Sequence, residues 1–263
     1  MKLKLMLVFS FILILAQAAF QMTDLKIDLY VQKDGSVKAT EKIELFLDSN
    51  GSISLYKGIM ANNKLEDWRS ITGIKEIRYH LHGNLVDVSN VQLQPRAPEP
   101  CNQIIGTCYA TLFIKYDIPQ KEDFSLIKVD KYKPRTTKYT LKSEAFAFES
   151  TEEGEMILPE RTILNIYLPQ NSIVTNVNPQ PLNINDTNLP LKASSVSWAG
   201  RSKLSPFILT FETEQPLEEE VLEFFKEFEL WFFNFIYSRN GIAAIITIAM
   251  FLLMLILIRR SGT

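Results

Sequence analysis

From Asp24 onward, apolar and polar residues alternate. Leu25, Ile27, Leu29 and Val31 fall on one parity, and Lys26, Asp28 and Tyr30 on the other. After Lys33-Asp34-Gly35 the alternation resumes. Val37, Ala39, Glu41, Ile43, Leu45 and Leu47 then share one face, on which Glu41 is the charged interruption. A period of two is the strand spacing, and an Asp-Gly turn between two such runs predicts a β-hairpin. Asp48-Ser49-Asn50-Gly51 reads as the next turn. Ile77, Tyr79 and Leu81 alternate with Glu76, Arg78, His80 and His82, which predicts a strand with both histidines on its solvent side. The runs Tyr109–Ile118, Thr136–Phe148, Thr162–Leu168, Ile173–Val177 and Phe207–Phe211 continue the pattern. Short strands separated by turn signals predict a mainly β fold of antiparallel sheets packed as sandwiches.

The polar stretch Pro119-Gln120-Lys121-Glu122-Asp123 suggests a boundary, giving β-domains over 22–119 and 120–214; one merged domain is the alternative. From Pro216 the period changes. Leu217, Val221, Phe224, Phe225 and Phe228 recur at three- and four-residue spacing among glutamates, predicting an acidic amphipathic helix within a juxtamembrane segment 216–240. Ile242–Ile258 then carries 17 residues without a charge, followed by Arg259-Arg260. At 1.5 Å per residue that run covers about 25 Å, and the preceding Leu230–Tyr237 lengthens it, so 241–258 is expected to cross the bilayer as a helix nearly continuous with its aromatic leader. The chain opens Met1-Lys2-Leu3-Lys4, runs apolar from Leu5 to Ala16 and reaches Ala16-Gln17-Ala18, the form of a signal peptide over 1–18. Together the ends predict a single-pass type I protein at the cell membrane, with its bulk extracellular and residues 259–263 cytoplasmic.

Composition narrows the function. The formal net charge of -2 argues against a surface that lives on nucleic-acid phosphates. Two cysteines are too few for a zinc site built from four thiolates, and in an exported chain Cys101 and Cys108 are expected to form a local disulfide. Asn50-Gly51-Ser52 and Asn185-Asp186-Thr187 are N-glycosylation sequons in turn-like sequence. His80-Leu81-His82 invites a metal reading, but no third histidine exists, so no metal and no cofactor is expected. Ser54-Leu55-Tyr56-Lys57 and Ser125-Leu126-Ile127-Lys128 match S-x-x-K in strand-like sequence without its companion motifs. Trp68 and Trp198 suit either a core or a sugar-stacking platform.

Gly154–Pro159, Leu164–Pro169, Ile173–Pro181, Val196–Gly200 and Phe207–Glu212 together resemble the "LP…V-x-P-x-P…W-x-G…F-x-(Y/F)-E" pattern of uncharacterised, mainly archaeal, surface-exposed membrane proteins. The opening Leu29–Val37 and Thr40–Ile43 is similar to the ectodomain of YciQ-like predicted membrane proteins. The chain departs from those in having one C-terminal span and no domain after it. The resemblance implies location and fold, and it carries no catalytic residues.

The expected function is therefore non-catalytic: a membrane-anchored surface protein whose β-ectodomain mediates binding or assembly. Its partners are the lipid bilayer through Ile242–Ile258, a protein docking on Phe224, Phe225, Phe228 and Trp231 or on the β surface, and a glycan. The alternative is an exported hydrolase acting on glycans or envelope polymers through an unidentified carboxylate pair.

Overall fold

The computed structural model describes residues 20–133, 135–184, 188–214 and 217–261. The signal peptide 1–18, the Asn185 sequon, Pro216 and the end of the tail lie outside the described residues.

The fold is mainly β. The expected hairpin is β1 (Phe20–Val31) and β2 (Val37–Leu47), antiparallel from Phe20↔Leu47 to Val31↔Val37. Its turn closes through Gly35, whose φ of 86° is open to glycine, and a Cβ there would overlap a Val129 methyl. The apolar parity is buried over Leu25–Val31 and Val37–Leu47, while Phe20 and Met22 at the start of β1 are half-buried. The other strands are β3 (Ser89–Pro95), β4 (Cys101–Asn102), β5 (Thr107–Ile118), β6 (Ile127–Lys133), β7 (Thr136–Leu141), β8 (Glu149–Ser150), β9 (Met156–Ile157), β10 (Thr162–Tyr167), β11 (Ser172–Asn178), β12 (Leu191–Lys192), β13 (Ser195–Ala199) and β14 (Ile208–Glu214). One sheet runs β13-β10-β1-β2-β5-β3, with β4 on β5; a second runs β12-β11-β14-β7-β6; β8 and β9 pair alone.

The boundary expected near residue 119 does not separate two sheets. β10 and β13, from the second segment, extend the sheet of the first, and the described residues from Phe20 to Glu214 form one compact unit. The reason is the open edge of β1: β10 satisfies those backbone groups by pairing in parallel from Leu25↔Thr162 to Tyr30↔Tyr167. One apolar core draws on both larger sheets, joining Ile43, Leu112 and Leu164 to Val174, Tyr139 and Phe211.

Two further expectations are corrected. Residues 48–51 are not a simple turn. They start α1 (Asn50–Ile59), because Ser49 caps it in a capping box with Ser52, and α2 (Leu65–Thr72) follows. The Ser54–Lys57 motif is therefore helical. Residues 76–82 form no strand either; that segment pairs only at the Leu81↔Phe146 bridge.

Residues from 215 form a second unit. It contains α3 (Leu217–Tyr237) and α4 (Arg239–Ser261). No single described helix is long and apolar enough to cross a membrane. Phe224–Tyr237 and Gly241–Leu257 satisfy length and composition together, as a pair bent by 74°. The expected near-continuous helix is thus broken. Ser238 ends α3 by donating its hydroxyl to Phe235 O at 2.7 Å, and the same oxygen caps α4 by accepting from Gly241 N at 3.1 Å.

Candidate functional site

Two polar constellations stand out in the β unit, one buried and one open. The buried one begins with strand parity. Alternation along β2 places Glu41 on the inner face between Ala39 and Ile43, where it is fully buried. Burying a carboxylate is costly unless donors surround it, and here three do. The His80 backbone N–H and the Tyr116 hydroxyl both donate to Glu41 Oε1, at 2.9 and 2.7 Å. His80 Nδ1 lies 2.6 Å from Glu41 Oε2. A carboxylate that only accepts meets all three, so the Nδ1 position carries the imidazole proton.

His80 is accordingly buried, contrary to the solvent-facing position expected from its parity with Glu76 and Arg78. Glu41 draws it inward, and Phe148 stacks on its ring with centroids 5.9 Å apart. His82 stays exposed, so the two histidines do not converge. Among the described residues no cluster of three metal-ligating side chains forms. The signal that sequence reading left unused was Glu41 itself: a lone acid on an apolar strand face requires a buried donor.

The protons on the buried phenols carry a testable consequence. Burial, reinforced by the Glu41 charge, pushes the Tyr116 hydroxyl well above its usual range. Burial likewise raises Tyr56, whose hydroxyl donates to Arg96 O and Thr111 O. Above about pH 10 the unfolded chain loses these protons while the native state keeps them. The stabilisation is intact below about pH 10 and falls as pH rises beyond it, by about 1.4 kcal/mol per pH unit for each phenol. Titrated by tyrosinate absorbance, Tyr56 and Tyr116 should ionise only with alkaline unfolding, and Tyr116→Phe should remove one of the two contributions.

The open constellation covers the outer face of the larger sheet, across β13, β10, β1 and β2. Registers align its residues in rows: Ser195, Tyr167, Tyr30 and Lys38; Ser197, Asn165, Asp28 and Thr40; Ala199, Ile163, Lys26 and Lys42. Tyr30 and Tyr167 stack with ring centroids 4.5 Å apart. Asn165 Nδ2 donates to Asp28 Oδ1 at 2.7 Å, and Lys26 pairs with Asp28 at 3.0 Å. Below them a shallow cleft of about 210 Å³ is lined by Asp24, Lys42, Glu44, Arg161 and Ile163, among others. Arg161 stands at its rim in the left-handed region, φ 59°. Asp28 and Asn165 are themselves buried, so what the face offers a polar ligand is aromatic edges and the cations of Lys26, Lys42 and Arg161.

The other sequence candidates fall elsewhere. Trp68 and Trp198 are core residues, each donating its indole N–H to a backbone carbonyl, of Asn62 at 2.8 Å and Pro179 at 2.9 Å. Neither is a sugar platform. Ser125 is buried ahead of β6. The Cys101 and Cys108 sulfurs lie at bonding distance with Cα atoms 4.1 Å apart, opposite each other across β4 and β5. Asn50 is exposed at the first position of α1. Phe224, Phe225, Phe228 and Trp231 are exposed on α3. Rings stack along it from Phe224 to Phe228 and Phe232, and from Trp231 to Phe235.

Compared with known proteins, the chain matches no family model and no curated sequence.

Proposed function

We propose that this chain is a non-catalytic, membrane-anchored surface protein. In this reading the sheets pack as a β-sandwich ectodomain outside the cytoplasm, and the C-terminal unit holds the ectodomain at the bilayer. The observation that carries the proposal is the exposed apolar surface of α3 and α4. Leu230, Trp231, Phe232, Phe233 and Phe235 are open, as are Ile245, Ile246, Ile248 and Met250–Leu257. A contiguous surface of that extent calls for lipid or a protein to cover it. Ile242–Ile258 contacts acyl chains, and Arg259 and Arg260 stay on the cytoplasmic side.

The aromatic row on α3 is the docking element for a protein partner. Glu227 and Glu229 on the same helix make an anionic membrane surface an unfavourable alternative. The outer sheet face, with Tyr30, Tyr167, Lys26 and Lys42, supplies a second contact suited to a glycan or a polar protein surface. The resemblance to exported β-domains of archaeal surface proteins agrees with this location. Glu41 accepts from three internal donors, a holding role within the core rather than acid–base chemistry.

Replacing Phe224, Phe225 and Phe228 by serine tests the docking role. Native membranes should retain the variant, while the proteins that co-purify with the wild type should be lost. An unchanged set of partners, with the three positions open to labelling, would reject α3 as the docking element.

A further inference from the structure

The hairpin tip between β4 and β5 presents the most exposed large apolar residue of the β unit. Ile104 retains 96% of its surface and Ile105 65%. Such exposure is costly in water, yet the tip is rigidly built. The Cys101–Cys108 bond closes its base. Asn102 Oδ1 accepts from Ile104 N at 3.0 Å and Ile105 N at 3.3 Å, and Asn102 O accepts from Gly106 N at 2.9 Å. Gly106 turns the chain at φ 68°, where a Cβ would press on the Asn50 amide at 3.1 Å. Local bonds thus fix the backbone so that both isoleucines project outward.

The surroundings indicate what meets them. No charged residue occurs from Pro100 to Ile114. Behind the two isoleucines comes an uncharged polar collar of Asn102, Gln103 and Thr107. Behind the collar, Tyr109 remains 47% exposed and packs on Phe46, with centroids 5.3 Å apart. At about 3.4 Å per residue, Tyr109 sits about 7 Å from Thr107 along β5. An apolar apex, an uncharged collar and then an aromatic belt is the order of polarity across a membrane interface, where Tyr rings favour the headgroup level. The tip is convex, so it fits a deformable lipid surface without a preformed pocket. Glu99 just before the tip and the absence of any cation on it point to neutral lipid.

We infer that the Cys101–Cys108 tip is a membrane-contacting loop that inserts Ile104 and Ile105 into the neutral headgroup and upper acyl region of a bilayer. This second contact rests on the proposed anchoring by the C-terminal unit.

The test uses the full chain reconstituted into phosphatidylcholine vesicles. Ile104→Trp is made in a Trp231→Phe background; Trp68 and Trp198 are core residues, and the parent without the new tryptophan is subtracted. Ile163→Trp on the outer sheet face serves as the water-exposed reference. Insertion predicts blue-shifted emission from position 104, loss of most of it to brominated acyl chains, and protection from aqueous iodide, with position 163 showing the reverse. Adding anionic lipid or salt should change little. If the protein floats with the vesicles while position 104 is quenched by iodide like position 163, the lipid inference fails and the anchor stands. A blue shift appearing only after a second protein is added would overturn it in favour of a protein pocket. Failure to float at all would reject both the loop and the anchor.

Discussion

Replacing Glu41 by leucine is expected to cost about 3–5 kcal/mol of β-unit stability, because three buried donors are left without an acceptor at about 1–3 kcal/mol each. Leucine fills most of the volume, so the loss does not come from a cavity. It comes from the Tyr116 hydroxyl, the His80 backbone N–H and the His80 Nδ1 proton, which all lose their acceptor in the core. Glu41→Gln should be much milder, about 1 kcal/mol. The amide oxygen can take the Oε1 position and receive Tyr116 and the His80 N–H. Its NH2 can donate to Nδ1 once the imidazole proton moves to the other ring nitrogen. Urea unfolding of residues 20–214 measures both, and nitrogen chemical shifts of His80 report the tautomer change in the glutamine variant. A combined Glu41→Leu, His80→Phe, Tyr116→Phe variant should recover part of the loss, because it removes both side-chain donors with the acceptor and leaves the backbone N–H of residue 80 as the remaining unmatched donor. A leucine variant as stable as the wild type would mean that the network does not hold residues 76–82 to the sheet.

The same carboxylate marks where the sequence was legible and where it was not. Strand parity was readable wherever one face meets the core. Leu25–Val31, Val37–Leu47 and Tyr109–Ile118 lie in β1, β2 and β5 with their apolar parities buried. Parity does not encode pairing, however. Nothing in Thr162–Tyr167 indicates that it lies parallel to β1, because both strands would show the same alternation with any neighbour. Residues 50–72 were missed because Asn50-Gly51 has turn chemistry, whereas Ser49 and Ser52 make the stronger capping box. The His80 error has a different origin. Alternation assigns polar residues to solvent, but a histidine whose Nδ1 and backbone N–H both meet a buried carboxylate is more stable inside. The cysteine pair was readable because two nearby cysteines in a chain expected to be exported favour a local disulfide, and the structure sets them opposite each other across β4 and β5. The conformation of its tip was not, since it depends on Asn102 accepting from two amides within the loop.

The C-terminal unit yields the second large effect. Ile248→Arg and Leu252→Arg, four positions apart, occupy neighbouring turns of one face of α4. Both positions are exposed and lie in its apolar stretch. At the centre of a spanning helix each arginine costs about 2.5–3.5 kcal/mol, and neither can reach the interface as easily as a residue near the helix ends. The pair should therefore shift most of the protein from the carbonate-resistant membrane fraction to the soluble or aggregated fraction. The same two positions changed to other aliphatics, Ile248→Leu and Leu252→Ile, should leave it integrated. The bend at Ser238 sharpens the expectation. Because α3 and α4 meet at 74°, the aromatic leader does not extend α4 in a straight line, and on the proposed anchoring Gly241–Leu257, which falls short of a full span by itself, has no apolar length to spare. Gly241→Leu then acts in the opposite sense. A Cβ at Gly241 would overlap Phe235 O, so a side chain forces the elbow open. Opening it aligns Phe232–Tyr237 with α4, and a longer apolar rod should hold the membrane even when one arginine is present. Full retention of the double-arginine protein in the carbonate-resistant fraction would show that α4 is not what holds the chain to the bilayer.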